Sequence, residues 1–226
     1  VIGMSESTGF LYPFIDAEER DSGTLLTDLA GSARQKARES SALQRSTLEA
    51  CAEKVAAAGT EMARRFAAGG RMYSFGNGGS STDAATFAAL FAQPVTGRPL
   101  PALNLAADQA VVTALGNDVG FELVFSRQII AHAASTDIAV AFSTSGNSAD
   151  LLSALREASK RGLMTVGFAG YTGGEMAESD AVHYCFVVDS QSIHRIQESQ
   201  ALLGYQLWAT TQRCVAARSG AEGGGR

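Results

Sequence analysis

From Met72 onward the chain alternates short apolar runs with longer stretches in which apolar residues recur every three or four positions. Met72–Phe75, Ala102–Leu105, Ile138–Phe142, Thr165–Ala169 and Val182–Val188 are brief, with a β-branched or aromatic bias, and read as strands. The intervening segments, about 81–92, 108–115 with 121–133, 149–161 and 174–178, read as helices, and a last helix is expected over about 193–217. Strands alternating with helices predict right-handed crossovers and a parallel sheet covered on both faces, an α/β fold. Before the sheet, Thr24 to about Ala68 is rich in Ala, Glu, Arg and Leu and is expected to be helical. A break near Ser40-Ser41 or Ala58-Gly59 would divide it into two or three helices, and Gly69-Gly70 ends it. Residues 1–22 show no period and read as an N-terminal arm, whose Phe10–Ile15 patch is expected to pack on the body or a partner subunit. Residues 23–218 then form one domain, and 219–226 a flexible glycine-rich tail.

Two of the strand-to-helix junctions are unusual. Gly76-Asn77-Gly78-Gly79-Ser80-Ser81 follows the first strand, and Ser143-Thr144-Ser145-Gly146-Asn147-Ser148 follows the third. A strand that stops at such a turn and restarts as a helix presents free amides and the positive end of a helix dipole, which favour an anion, usually a phosphate. Ser143, Thr144, Ser145 and Ser148 add four hydroxyls, enough to satisfy several phosphate oxygens without a Walker-type lysine. A helix N-cap alone accounts for one of them, at most two. Ligands of open parallel sheets bind at the carboxyl ends of strands, where both turns lie.

Composition narrows the partners. The 226 residues carry a formal net charge of −5 and no basic stripe, which argues against nucleic acid. Three cysteines, Cys51, Cys185 and Cys214, lie far apart without CxxC spacing and read as reduced thiols rather than a disulfide framework or zinc cluster. No apolar run is long enough to span a bilayer and no secretory signal is visible, so a cytoplasmic location is expected.

Four motifs together resemble those of the phosphoheptose isomerases, in the sugar isomerase (SIS) superfamily: Phe75–Ser80, Gly116–Phe121, Ser143–Ser148 and Arg195-Ile196-Gln197-Glu198, in that order over about residues 45–212. The resemblance implies a SIS domain, a flavodoxin-like three-layer sandwich with a five-stranded parallel sheet preceded by N-terminal helices. It implies a homotetramer with sites at subunit interfaces, and a sugar-phosphate substrate, sedoheptulose 7-phosphate, isomerised between ketose and aldose. By position, Asn77, Gly78, Gly79 and Ser80 match the first substrate turn, Asn117 and Asp118 a substrate-contacting pair, and Ser143, Thr144, Ser145 and Ser148 the phosphate cradle. Gln197 matches a residue of the metal and substrate site.

The family's remaining zinc and acid/base positions are substituted. A His and a Glu four residues later in the helix after the first turn are here Thr86 and Leu90, and a His eight residues after the Gln is Tyr205. One neutral amide does not hold Zn²⁺, so no metal or other cofactor is expected. Isomerisation through an enediol still requires a base and oxyanion stabilisation. Asp83, His194 and Glu198 are the replacement candidates; helix-dipole compensation for Asp83 and simple solvent exposure for the other two are the plainer readings. His183, in a strand-like run, reads as structural. Three functions are therefore open: a metal-free isomerase, a phosphosugar-binding regulator or scaffold similar to the DnaA initiator-associating protein, and an epimerase on a related sugar phosphate.

Overall fold

The computed structural model describes residues 22–223; the Phe10–Ile15 patch and nearly all of the expected arm lie outside them. Contacts separate the chain into two units, residues 1–41 and 42–226. Helix α1 covers Ser22–Ala67 without interruption, so neither expected break occurs. At Ser41 the hydroxyl folds back onto the Ala37 carbonyl at 2.9 Å, satisfying itself within the helix. Gly59 is a contact point instead of a stop: a Cβ there would lie 2.7 Å from Thr210 Cγ2, so glycine lets the two helices approach closely.

The second unit holds a five-stranded, wholly parallel sheet in the order β2-β1-β3-β4-β5. Its strands are β1 (Met72–Gly76), β2 (Ala102–Asn104), β3 (Ile138–Phe142), β4 (Met164–Gly170) and β5 (Tyr184–Val188). The connecting helices are α2 (Gly79–Ala92), α3 (Gln109–Asp118), α4 (Val124–His132, after a 3-10 turn at Phe121–Leu123), α5 (Ala149–Lys160) and α6 (Gly174–Glu178). The last, α7, runs from Ile193 to Gly223 and overruns the expected flexible tail. One glycine at position 220 costs only about 1 kcal/mol in a helix, too little to end so long an element.

Strand alternation sorts the core into two layers. Met72, Ile138, Val140, Phe142, Met164, Val166, Phe168 and Phe186 face one way, against Cys51–Phe66 of α1, Phe87 and Phe91 of α2, and Leu203, Leu207 and Trp208 of α7. Tyr73, Phe75, Ala139 and Ala141 face the other way, against Phe125 and Ile129 of α4 and Leu151–Ala158 of α5. Under the carboxyl ends, Phe87 meets Phe142 edge-on, Phe142 stacks on Phe168 at 4.4 Å, and Phe168 contacts Phe186.

At the opposite end, Arg65 closes the sheet. Its Nη1 donates to the carbonyls of Ser135, Asp137 and Gly162 at 2.9–3.0 Å, while Glu61 Oε1 accepts from Nε at 2.8 Å. The hydrogen bond from Arg64, with help from Arg65, holds the Glu61 carboxyl down at about 2. A lowered carboxyl stabilises the fold above its ordinary value of 4.5, and that contribution is lost as pH falls through about 2. Arg65→Met should cost about 3 kcal/mol in urea unfolding at neutral pH, because three carbonyls lose a charged donor together. A loss under about 0.5 kcal/mol, the level of an ordinary surface change, contradicts the clamp.

Candidate functional site

The two glycine-hydroxyl turns leave adjacent strands, β1 and β3, at the point where the strand order reverses. At the first, Gly78 takes φ 53° and ψ −126° and stands at the N-cap of α2 with no side chain capping the helix. Gly76 is held by close approach, since a Cβ would lie 2.6 Å from the Ser80 carbonyl oxygen and 2.9 Å from that of Phe142. Ser80 is buried in the first turn of α2. Asn77 reaches across to the second turn, its Nδ2 donating to both carboxylate oxygens of Asp150, at 3.0 and 2.9 Å. Asp150 is buried in the first turn of α5, so this pair ties the starts of α2 and α5 together.

In the second turn Ser143 is buried, and its Oγ accepts from the Gly146 amide at 3.0 Å, which makes it a shaper of the loop. Ser145 Oγ accepts from the Asn147 amide at 3.2 Å. Thr144, Ser145 and Ser148 are half-buried. Ser148 occupies the N-cap of α5 yet its hydroxyl caps nothing, so the simple capping explanation fails at the one residue where it is strongest. The loop rests on the Gly173-Gly174 turn: the Met176 amide donates to Gly146 O at 2.9 Å and the Glu175 amide to Asn147 Oδ1 at 2.8 Å. Gly146 has φ +70°, and a Cβ there would overlap the Gly173 carbonyl oxygen.

Helix α7 brings a third set of groups. Gln197 Nε2 donates to Asp83 Oδ2 at 3.0 Å and lies over Gly79, where a Cβ would come within 2.7 Å of that nitrogen. Burial raises the Asp83 carboxyl above its ordinary value, against the lowering effect of the Gln197 amide. Gln200, fully buried one turn further on, donates from Nε2 to the Ser143 carbonyl at 2.7 Å. Between α2 and α7 lies a cavity of about 70 Å³ whose walls include Asp83, Thr86, Leu90, Phe142 and Gln200.

The other expected residues are less engaged. Asn117 and Asp118, at the exposed end of α3, bond to each other at 2.8 Å, and among the described residues no hydrogen bond joins them to either turn. His194 and Glu198 are exposed on α7. His183 stands just before β5, outside the strand, and accepts the Thr165 amide through Nδ1 at 3.0 Å, a structural use that extends the β4–β5 pairing. Asp150 and Gln200 were not singled out by the sequence, although Asp150 lies two residues after the second turn, where a first-turn carboxylate is a signal in itself.

At the three positions where the resemblance puts further metal ligands, the side chains serve other ends. The Thr86 hydroxyl donates to the Thr82 carbonyl at 2.9 Å, Leu90 fills the cavity wall, and the Tyr205 ring packs on Trp208 with centroids 5.3 Å apart. Among the described residues no group of three or more His, Cys, Asp or Glu side chains is placed to hold a metal ion. Nor, among them, is any helix long and apolar enough to cross a membrane.

The sequence matches the SIS domain family over residues 37–170. It is 37% identical over 184 residues to the phosphoheptose isomerase of Aquifex aeolicus (strain VF5), covering 80% of this chain and 95% of that one. It is 44% identical over 158 residues to the phosphoheptose isomerase of Solidesulfovibrio magneticus (strain ATCC 700980 / DSM 13731 / RS-1), covering 69% and 76%. The fold superposes on the phosphoheptose isomerase of Neisseria gonorrhoeae with a TM-score of 0.75 at 30% identity, over 84% of this chain and 99% of that chain. A five-stranded parallel sheet with two glycine-hydroxyl turns at its switch point, and sequence identity with these enzymes over most of the chain, place it in the phosphoheptose isomerase family of SIS-domain sugar-phosphate isomerases.

Proposed function

We propose that this chain binds a sugar phosphate at the carboxyl ends of β1 and β3, and that it does so without zinc. The phosphate is held by Thr144, Ser145 and Ser148 with the first amides of α5, and Asn77, Gly78, Gly79 and Ser80 form the opposite wall. The observation that carries this reading is the uncapped start of α5 beneath half-buried hydroxyls, an anion site in both charge and donor supply. Zinc is left out because Thr86, Leu90 and Tyr205 supply no His or carboxylate, and Gln197 is already engaged with Asp83. The homotetramer and cytoplasmic location implied by the family belong to the same reading.

Turnover is a second reading, favoured by the position of Asp83. Ketose–aldose isomerisation moves a proton between adjacent carbons, and Asp83 is the carboxylate in the cavity wall. In this reading Asp83 carries the proton and Gln197 orients its carboxylate. The binding reading is tested with Ser145→Ala combined with Ser148→Ala. Calorimetric titration with sedoheptulose 7-phosphate should show affinity reduced about 10-fold or more, as expected for two lost hydrogen bonds to a charged group. Unchanged affinity removes the cradle.

A further inference from the structure

Asp150 stands where a carboxylate works against the site around it. It is 4% exposed in the first turn of α5, and among the described residues no ion pair joins it to a cation. Its charge lies within one helical turn, about 5 Å, of the amides that begin α5, so it complements the dipole but opposes any anion held there. A carboxylate kept only for the dipole gains nothing from burial, because a buried charge needs partners to replace water. The partner here is Asn77 of the other turn, 73 positions earlier, whose Nδ2 donates to Oδ1 and Oδ2 at 3.0 and 2.9 Å. This contact fixes the direction of the Asn77 amide. An ionised carboxylate only accepts, so the amide must turn its NH₂ toward Asp150 and its own Oδ1 away. The two oxygens of one carboxylate are too close together to take both hydrogens of that nitrogen, which diverge widely. Half-buried Asn77 therefore keeps Oδ1 and one N–H hydrogen, and among the described residues neither has a partner.

We infer that Asp150 is a positioning residue for the sugar, acting through Asn77, a conclusion that rests on the phosphosugar reading above. It locks the Asn77 amide with Oδ1 and one N–H left to meet the hydroxyls of the ligand. A hydroxyl both donates and accepts, so a donor and an acceptor on one fixed amide complement it. Without the carboxylate, the amide has two settings of nearly equal shape that exchange donor for acceptor, and the sugar meets a mixture of them. Asp150 thus has two effects of opposite sign. Its charge weakens the hold of the second turn on phosphate, and its hydrogen bond to Asn77 strengthens the hold of the first turn on the sugar.

The test is calorimetric titration of the full chain with sedoheptulose 7-phosphate, and with inorganic phosphate read by competition against it. The ratio of the two affinities measures the hold on the sugar, since the charge of Asp150 acts on both ligands alike. Asp150→Ala should lower that ratio about 5-fold or more, the scale of one or two neutral hydrogen bonds. Phosphate itself should bind about 3-fold more tightly, as expected when a unit charge one turn away is removed. Asp150→Asn, nearly isosteric, should give the same gain for phosphate and a smaller fall in the ratio. Its amide still accepts from Asn77 Nδ2 but no longer dictates the direction. In a chain that already carries Asn77→Ala, Asp150→Ala should lower the ratio no further. An unchanged ratio in both Asp150 variants overturns the inference, as does equal weakening of both ligands, the mark of a purely structural role. A fall of the same size in the absence of Asn77 also overturns it, and all three results leave the phosphosugar reading standing. No binding of sedoheptulose 7-phosphate to the unchanged chain overturns that reading and this inference with it.

Discussion

Gly146→Ala should abolish sugar-phosphate binding and destabilise the fold by about 3 kcal/mol, the sum of a strained left-handed residue and an overpacked contact. Gly146 has φ +70°, and its hydrogen faces the Gly173 carbonyl, where a methyl group has no room. The neighbour is backbone and cannot turn aside. To admit a Cβ, the 143–148 turn must lift from the Gly173-Gly174 turn, losing the bonds from Met176 N and Glu175 N. Thr144, Ser145 and Ser148 then leave their positions together, so affinity falls on the order of 100-fold or more, as for several lost charge-assisted bonds. Gly69→Ala supplies the internal comparison. Gly69 also has a positive φ, +83°, but a Cβ there meets nothing within 4 Å. It should cost about 1 kcal/mol and leave binding alone. Urea unfolding and calorimetry on both variants read the difference; equal stability losses with intact binding in Gly146→Ala contradict the packing described for this turn.

The combined change Thr86→His, Leu90→Glu and Tyr205→His should create a zinc site where, among the described residues, no group of three or more His, Cys, Asp or Glu side chains is placed to hold a metal ion. Positions 86 and 90 are one turn apart on α2, and 197 and 205 are two turns apart on α7, so each pair projects from one helix face. The two faces border the same cavity. With Gln197 retained, four potential ligands stand on the two helices in place of one amide, and zinc affinity should rise on the order of 100-fold or more over the unchanged chain. Zinc competition with a chromogenic chelator measures this. The same affinity before and after the change would mean either that the helices do not present these positions to one point or that zinc is held elsewhere.

Much of the architecture was readable because strand and helix periods are strong signals. All five strands fall where short apolar runs predict them, and the two turns fall at the reversal of strand order. What was not readable depended on contacts between distant residues. Gly59 resembles a helix stop until Thr210 is known to lie against it. The loop-shaping role of Ser143 shows only when its hydroxyl is seen accepting the Gly146 amide. Asp150 and Gln200 gain their importance from Asn77 and Ser143, respectively 73 and 57 positions away, a pairing that no local pattern encodes. The four-motif resemblance pointed to these turns, and the substitutions at 86, 90 and 205 were legible by position alone. Only the structure shows that Thr86 and Leu90 border a cavity of about 70 Å³ between α2 and α7.

The central claim is a phosphosugar pocket that works without metal, and one titration tests it most directly. Protein stripped with EDTA is titrated with sedoheptulose 7-phosphate by calorimetry, then again after one equivalent of Zn²⁺. Saturable binding at one sugar per chain, with the same affinity in both titrations, is the predicted result. No binding to the stripped protein, restored by zinc, would contradict the account.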